Sequence, residues 1–170
     1  ISLVLSCLDW TEDSAQLLPE YPFAEVLWRK ATHFETRVTG NKIEYFVNGQ
    51  RHRLDGPARI DTSADGFRSE EYFVNNKRHR FDGPAIIETA ANGYRYEEYF
   101  VNGQRHRLDE PTIIRTYANG SRAEEYYVNN KRHRIDGPAI IETYANGSRR
   151  EEYFVNGQHH RLDGPAVICR

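Results

Sequence analysis

The chain has 170 residues, with 23 Lys and Arg against 25 Asp and Glu, for a net charge of -2. Only 38% of residues are hydrophobic and the mean hydropathy is -0.80. These values exclude a large single core and give no whole-molecule attraction for nucleic acid or an anionic membrane.

The first thirty residues stand apart from the rest. ISLVLSCL (1–8) is far shorter than the ~20 apolar residues of a membrane helix, and it lacks the basic start and cleavage site of a signal peptide. The sequence contains no Met and begins at Ile1, so further residues are expected ahead of it. FAEVLWRKA (23–31) spaces its apolar positions like a short amphipathic helix, and Pro22 is well placed for its start. ATHFET (31–36) is similar to the AIIET that recurs later, and is expected to be the half-unit that starts a sheet. Residues 1–36 therefore read as a partly helical cap. Cys7 and Cys169 read as free thiols in a reducing compartment, which implies a cytoplasmic location.

Residues 37–170 read as five repeats of 27 residues. Tyr45, Tyr72, Tyr99, Tyr126 and Tyr153 keep that spacing without an insertion, the mark of units that pack on their neighbours. A period of 54 lies over it, because Asn-Gly-Gln at 48–50, 102–104 and 156–158 alternates with Asn-Asn-Lys at 75–77 and 129–131. Tyr, Phe, Val and Ile favour strands. Asn48-Gly49 and its equivalents predict two-residue type I′ hairpins, since Asn and Gly tolerate positive φ. A second turn is predicted at Asp65-Gly66, Asn92-Gly93, Asn119-Gly120 and Asn146-Gly147. Each repeat thus has two strands, one short and one passing through Asp-Gly-Pro, where Pro removes a donor and kinks or bulges the strand. The fold class is mostly β, an elongated antiparallel array of hairpins. At ~10 Å per two-strand unit, five units make a rod of about 50 Å.

The first turn sets a register. Val74 faces Lys77, Phe73 faces Arg78, Tyr72 faces His79 and Glu71 faces Arg80. The same count pairs Glu44 with Arg53, Glu98 with Arg107, Glu125 with Arg134 and Glu152 with Arg161. Arg51, Arg78, Arg105 and Arg132 are then left as candidate anion-binding residues. His52, His79, His106, His133 and His160 recur about 10 Å apart, too far to share an ion whose bonds are ~2.1 Å long. They are expected to be structural, stacked on the tyrosines. Asp-Gly-Pro-Ala occurs four times, but the third repeat has Asp109-Glu110-Pro111-Thr112. A Glu in that slot predicts negative φ there in every repeat. No nucleophile–base set or phosphate-cradling loop stands out, and a side chain that recurs five times lacks the unique geometry of an active site. No cofactor or metal is expected.

Tyr-Phe-Val-Asn-Gly-Gln-Arg-His-Arg, followed by a strand and Tyr-Ala-Asn-Gly-Ser-Arg-x-Glu, resembles the MORN repeat (membrane occupation and recognition nexus) over residues 41–170. This sequence departs from it in a longer unit, His-Arg in place of His-Gly, and an inserted Asp-Gly-Pro-Ala. The longer form resembles arrays encoded by giant viruses of amoebae, which implies the host cytoplasm or the virion as the location. The resemblance implies a twisted antiparallel sheet serving as a non-enzymatic scaffold, often dimeric, with a protein partner of unstated identity and no nucleic acid. Residues 1–31 resemble the trailing part of an F-box in their I-x-x-x-L-x-x-L-D rhythm and closing Trp-Arg-Lys-Ala, without the Leu-Pro-x-Glu opening. Two alternatives stay open, an F-box adaptor of a ubiquitin ligase and a module binding an anionic lipid surface. The strand at 166–170 has no visible cap, and a second copy or residues outside this sequence are expected to cover it.

Overall fold

A computed structural model describes residues 33–170. The helix expected at 23–31, like the rest of residues 1–32, lies outside the described residues. Among the described residues the sheet begins with β1 (Phe34–Thr39), which crosses the expected boundary at residue 36 and takes in Phe34, Glu35 and Thr36 of ATHFET. Next come β2 (Lys42–Val47), β3 (Gln50–Arg51) and β4 (Arg59–Thr62). The second repeat supplies β5 (Arg68–Glu71), β6 (Phe73–Val74), β7 (Lys77–Arg78) and β8 (Ile86–Thr89). The same unit recurs as β9 (Arg95–Glu98), β10 (Phe100–Val101), β11 (Gln104–Arg105) and β12 (Ile113–Thr116). It returns as β13 (Arg122–Glu125), β14 (Tyr127–Val128), β15 (Lys131–Arg132) and β16 (Ile140–Thr143). It ends with β17 (Arg149–Glu152), β18 (Phe154–Val155), β19 (Gln158–His159) and β20 (Val167–Cys169).

One antiparallel sheet of 12 strands runs through the described residues in the order β1-β2-β4-β5-β8-β9-β12-β13-β16-β17-β20, with β3 paired to β2. The hairpins β6-β7, β10-β11, β14-β15 and β18-β19 form separate two-stranded ladders. The two strands expected per repeat are therefore each split. The first breaks at Tyr72, Tyr99, Tyr126 and Tyr153, where the chain leaves the main sheet, whereas in the first repeat β2 runs through Tyr45 unbroken. The second breaks at Asp-Gly-Pro, because Pro84 has no N–H to donate.

Both turns follow from their residues. Asn75 and Asn76 take φ of 50° and 61°, and Asn102 and Gly103 take 52° and 81°, the left-handed pair a type I′ turn requires. At the second turn Gly93 sits at φ 90°. There the Asn92 carboxamide accepts the N–H of Tyr94 at 2.9 Å, a local bond that closes the turn.

The five tyrosines hold equivalent places. The N–H of Tyr45, Tyr72, Tyr99, Tyr126 and Tyr153 donates to the carbonyl of Ala58, Ala85, Thr112, Ala139 and Ala166 at 2.8–2.9 Å. The core is correspondingly thin and periodic. Ala85 and Ile86 of one repeat pack with Phe100 of the next, and Ala139 and Ile140 pack with Phe154. Burying each Phe contributes roughly 2–3 kcal/mol, and that burial exists only between neighbours. Thr112 fills the alanine slot with no exposure. Its hydroxyl donates to Tyr127 O and accepts from Tyr127 N–H, so the extra oxygen is satisfied. No helix among the described residues is long and apolar enough to cross a membrane.

Candidate functional site

Two columns of arginine run along the array. In the first, Arg51 lies 5.9 Å from the Phe46 ring and 5.8 Å from Phe73 of the next repeat. Arg78 bridges Phe73 and Phe100, Arg105 bridges Phe100 and Tyr127, and Arg132 bridges Tyr127 and Phe154 in the same way. Each guanidinium carbon thus lies within the range of a cation–π contact from rings of two successive repeats. At the equivalent place in the fifth repeat, His159 stacks on Phe154 at 4.2 Å.

These arginines are the ones the register count leaves without a carboxylate, and here the count needs correction. Arg51 pairs with Glu44 at 2.7 Å and Arg78 with Glu71 at 2.8 Å. Arg105 pairs with Glu98, Arg132 with Glu125 at 3.2 Å, and His159 with Glu152 at 3.0 Å. All five glutamates are buried. The count holds for Phe73↔Arg78 and Val74↔Lys77 and for the bond from His79 N–H to Tyr72 O, then stops. The N–H of Arg80 goes to Phe100 O of the next repeat instead. The glutamate therefore meets the arginine two residues nearer the turn.

The second column, Arg53, Arg80, Arg107, Arg134 and Arg161, sits over the tyrosines. Their guanidinium carbons lie 3.8–4.3 Å from the rings of Tyr45, Tyr72, Tyr99, Tyr126 and Tyr153. What covers each tyrosine is thus the residue after the histidine. Their carboxylate partners are Asp55, Asp82, Glu110, Asp136 and Asp163. The arginine also explains the glycine. A Cβ at Gly56, Gly83 or Gly137 would stand 3.1–3.2 Å from the guanidinium carbon of Arg53, Arg80 or Arg134. As expected, these glycines and Glu110 avoid positive φ, but Gly164 differs at 158°. In the third repeat Glu110 takes over the ion pair, and Asp109 moves into the left-handed region at φ 62°.

The histidines reach sideways. Nδ1 of His52, His79 and His133 accepts the N–H of Asn75, Asn102 and Asn156, the first turn residue of the next repeat, at 2.9–3.3 Å. Nδ1 of His106 lies 3.1 Å from Asn129 Oδ1. Burial holds His52 and His79 below the usual histidine range, with the Asn75 contact working against it for His52. Burial alone would raise Glu44 and Glu125, but bonds from Arg51 and Lys42, and from Arg115 and Tyr127, hold both below the usual carboxylate range. Glu88 goes the other way, raised by burial and by Glu71 and Glu98.

The 54-residue alternation acquires a reason here. Every second turn residue donates its N–H to the arginine carbonyl of the preceding repeat, from Asn76, Gly103, Asn130 and Gly157 to Arg51, Arg78, Arg105 and Arg132. Where that residue is Asn, its Oδ1 also accepts the arginine N–H, Arg51 to Asn76 at 2.7 Å and Arg105 to Asn130 at 2.8 Å. Interfaces one–two and three–four therefore carry a second bond.

One row escaped the sequence reading. Leu54, Phe81, Leu108, Ile135 and Leu162 recur every 27 residues between an Arg and an Asp, and all are exposed. The available signal was an invariably apolar letter between two charged ones in a bend. Among the described residues no group of three or more His, Cys, Asp or Glu is placed to hold a metal ion. Cys169 is an exposed free thiol. No family model matches the chain, and no curated protein matches it.

Proposed function

We propose that the protein is a non-catalytic scaffold of MORN-like repeats that presents a periodic surface to other proteins. What supports this most is the use of its polar side chains. The first Arg column, the His and the turn Asn link one repeat to the next, and the Glu and second Arg columns pair within their own repeats, so the chemistry that could have formed a site is spent on rigidity. A rigid array with an exposed apolar row is suited to holding partners at regular intervals. The lipid-surface alternative drew on unpaired Arg51, Arg78, Arg105 and Arg132, and their buried glutamate partners remove that support.

The test is affinity capture from the native source with mass spectrometry, comparing the chain with a Leu108→Lys, Ile135→Lys variant. The reading expects a defined protein set that the variant fails to recover. Recovery of the same set by both would place binding elsewhere, and turnover of a small molecule by the purified chain would overturn the non-catalytic reading.

A further inference from the structure

Two backbone donors stand outside the bonding that joins the repeats. Bonds between antiparallel strands alternate. The N–H of His79 goes to Tyr72 O, so the next pair, Phe73↔Arg78, is a non-bonded one and its Arg78 N–H points outward, to the turn of the following repeat. At interfaces one–two and three–four that donor is met from within, by Asn76 Oδ1 for Arg51 at 2.7 Å and by Asn130 Oδ1 for Arg105 at 2.8 Å. At interfaces two–three and four–five the same turn position is Gly103 or Gly157, which has no side chain to offer. Among the described residues the N–H of Arg78 and that of Arg132 find no acceptor.

The absent side chain leaves an open cleft of about 390 Å³ between two hairpin tips. Its floor is the buried pair Phe73 and Phe100, and Lys77, Arg78, Asn102 and Gly103 line it. Lys77 is exposed and forms no ion pair among the described residues. The Arg78 guanidinium is already neutralised by Glu71 at 2.8 Å. The same set recurs at interface four–five, where Lys131 stands beside Gly157 as Lys77 stands beside Gly103. We propose that each slot takes the carboxylate of an acidic side chain from a protein partner, and that the two slots together read one acidic segment.

The protein itself marks where the ligand's oxygen sits, because Asn76 and Asn130 place theirs there at the other two interfaces. A carboxylate presents the same planar oxygen and adds a charge that Lys77 or Lys131 meets. One unpaired ammonium in each slot matches that single charge, whereas a phosphate brings about −2 and more acceptor oxygens than the slot has donors. The slots lie two repeats apart, four strand spacings or ~19 Å. An extended chain covers ~20 Å in six residues, and an even step returns both side chains to one face. The matching ligand is therefore an extended segment laid across the hairpin tips, with acidic residues at i and i+6. The tip between them carries Gln104 in place of Lys, and its Arg105 donor is already bonded, so it asks for no acid.

Taking the ligand from a protein rests on the scaffold reading, which leaves that ligand's chemistry open; none of the apolar row is involved. The test is an amide titration of the full chain, nitrogen-15 labelled, with a nine-residue Ser/Thr peptide that has Glu at its second and eighth positions. The expected result is a downfield shift of the Arg78 and Arg132 amide protons, saturating together, while those of Arg51 and Arg105 stay in place. Gln at both peptide positions weakens binding about tenfold, since the oxygen stays and the charge goes. Glu residues only three apart also weaken it about tenfold, because one slot is reached at a time. Gly103→Asn with Gly157→Asn fills both slots from within and abolishes binding with an unchanged circular dichroism spectrum. Lys77→Gln with Lys131→Gln weakens binding several-fold. No shift at either amide, or an equal shift at Arg51 and Arg105, overturns the inference. So does saturation by sodium acetate at the concentration of the peptide, which would make the slots single anion sites. A chain that ignores the peptide but sediments with phosphatidylserine vesicles overturns it in favour of a lipid surface. A failed titration leaves capture of proteins through the apolar row untouched, and failed capture with the two amides still shifting would count against the scaffold reading alone.

Discussion

Glu98 is 3% exposed, and its carboxylate is held by Arg105 and by the Tyr96 hydroxyl at 2.6 Å. Removing the guanidinium leaves a buried charge with one remaining donor. Arg105→Ala is expected to cost about 2–3 kcal/mol in urea denaturation, less than a wholly buried pair because the arginine is itself partly exposed. Glu98→Gln in that background should recover part of the loss. Arg68→Ala, on β5, where the arginine is more exposed and pairs with Glu70, should cost about 0.5 kcal/mol or less. Gly83→Ala probes the other arginine column. Its φ is not positive, so the cost, roughly 1 kcal/mol, would come from displacing Arg80 off Tyr72 rather than from the backbone. Acid should loosen the array in two steps. His52 and His79 titrate lower folded than unfolded, so their contribution is whole above pH ~6.5 and falls as pH drops through that value. Glu44 and Glu125 are also depressed, and their share is lost on acidification below ~4.5. Glu88, raised by burial, opposes this within its own range. A Tm that rises between pH 6.5 and 5 would contradict the histidine bridges.

Among elements, the I′ hairpins were legible from Asn-Gly and Asn-Asn alone, and the two pairs nearest the turn follow from counting outward. Counting failed beyond them because a short hairpin in an array has a second neighbour. The carbonyl of Phe100 competes for the N–H of Arg80 and wins, and no local rule weighs a residue 20 positions away against the facing strand. The structural role of the second Asn was invisible for the same reason. Asn76→Ala should destabilise by about 1–2 kcal/mol, combining the lost Oδ1 bond with the poorer tolerance of alanine for φ 61°. Asn76→Gly should cost less, since only the bond goes. The converse change, Gly103→Asn, strains a backbone at φ 81° but finds room beside Lys77 and can gain a bond from the Arg78 N–H, so its net cost should stay below about 1 kcal/mol.

Across the whole molecule, the period carried the architecture. An unbroken spacing of 27 implied stacked identical units before any contact was known, and the sheet of successive hairpins bears that out. What the period could not convey was which charges lie inside. Arg and Glu columns look alike whether they face water or separate two aromatic rings, and burial is a property of the neighbouring repeat. The most direct measurement is equilibrium denaturation of two shortened chains. Removing residues 72–98 joins Glu71 to Tyr99 and preserves every column. Removing 73–98 leaves one residue too many and, past the joint, turns each side chain to the opposite face. The account predicts that the first chain unfolds in one transition with m lower by about a fifth, and that the second loses most of its stability. Equal stability in the two would contradict it.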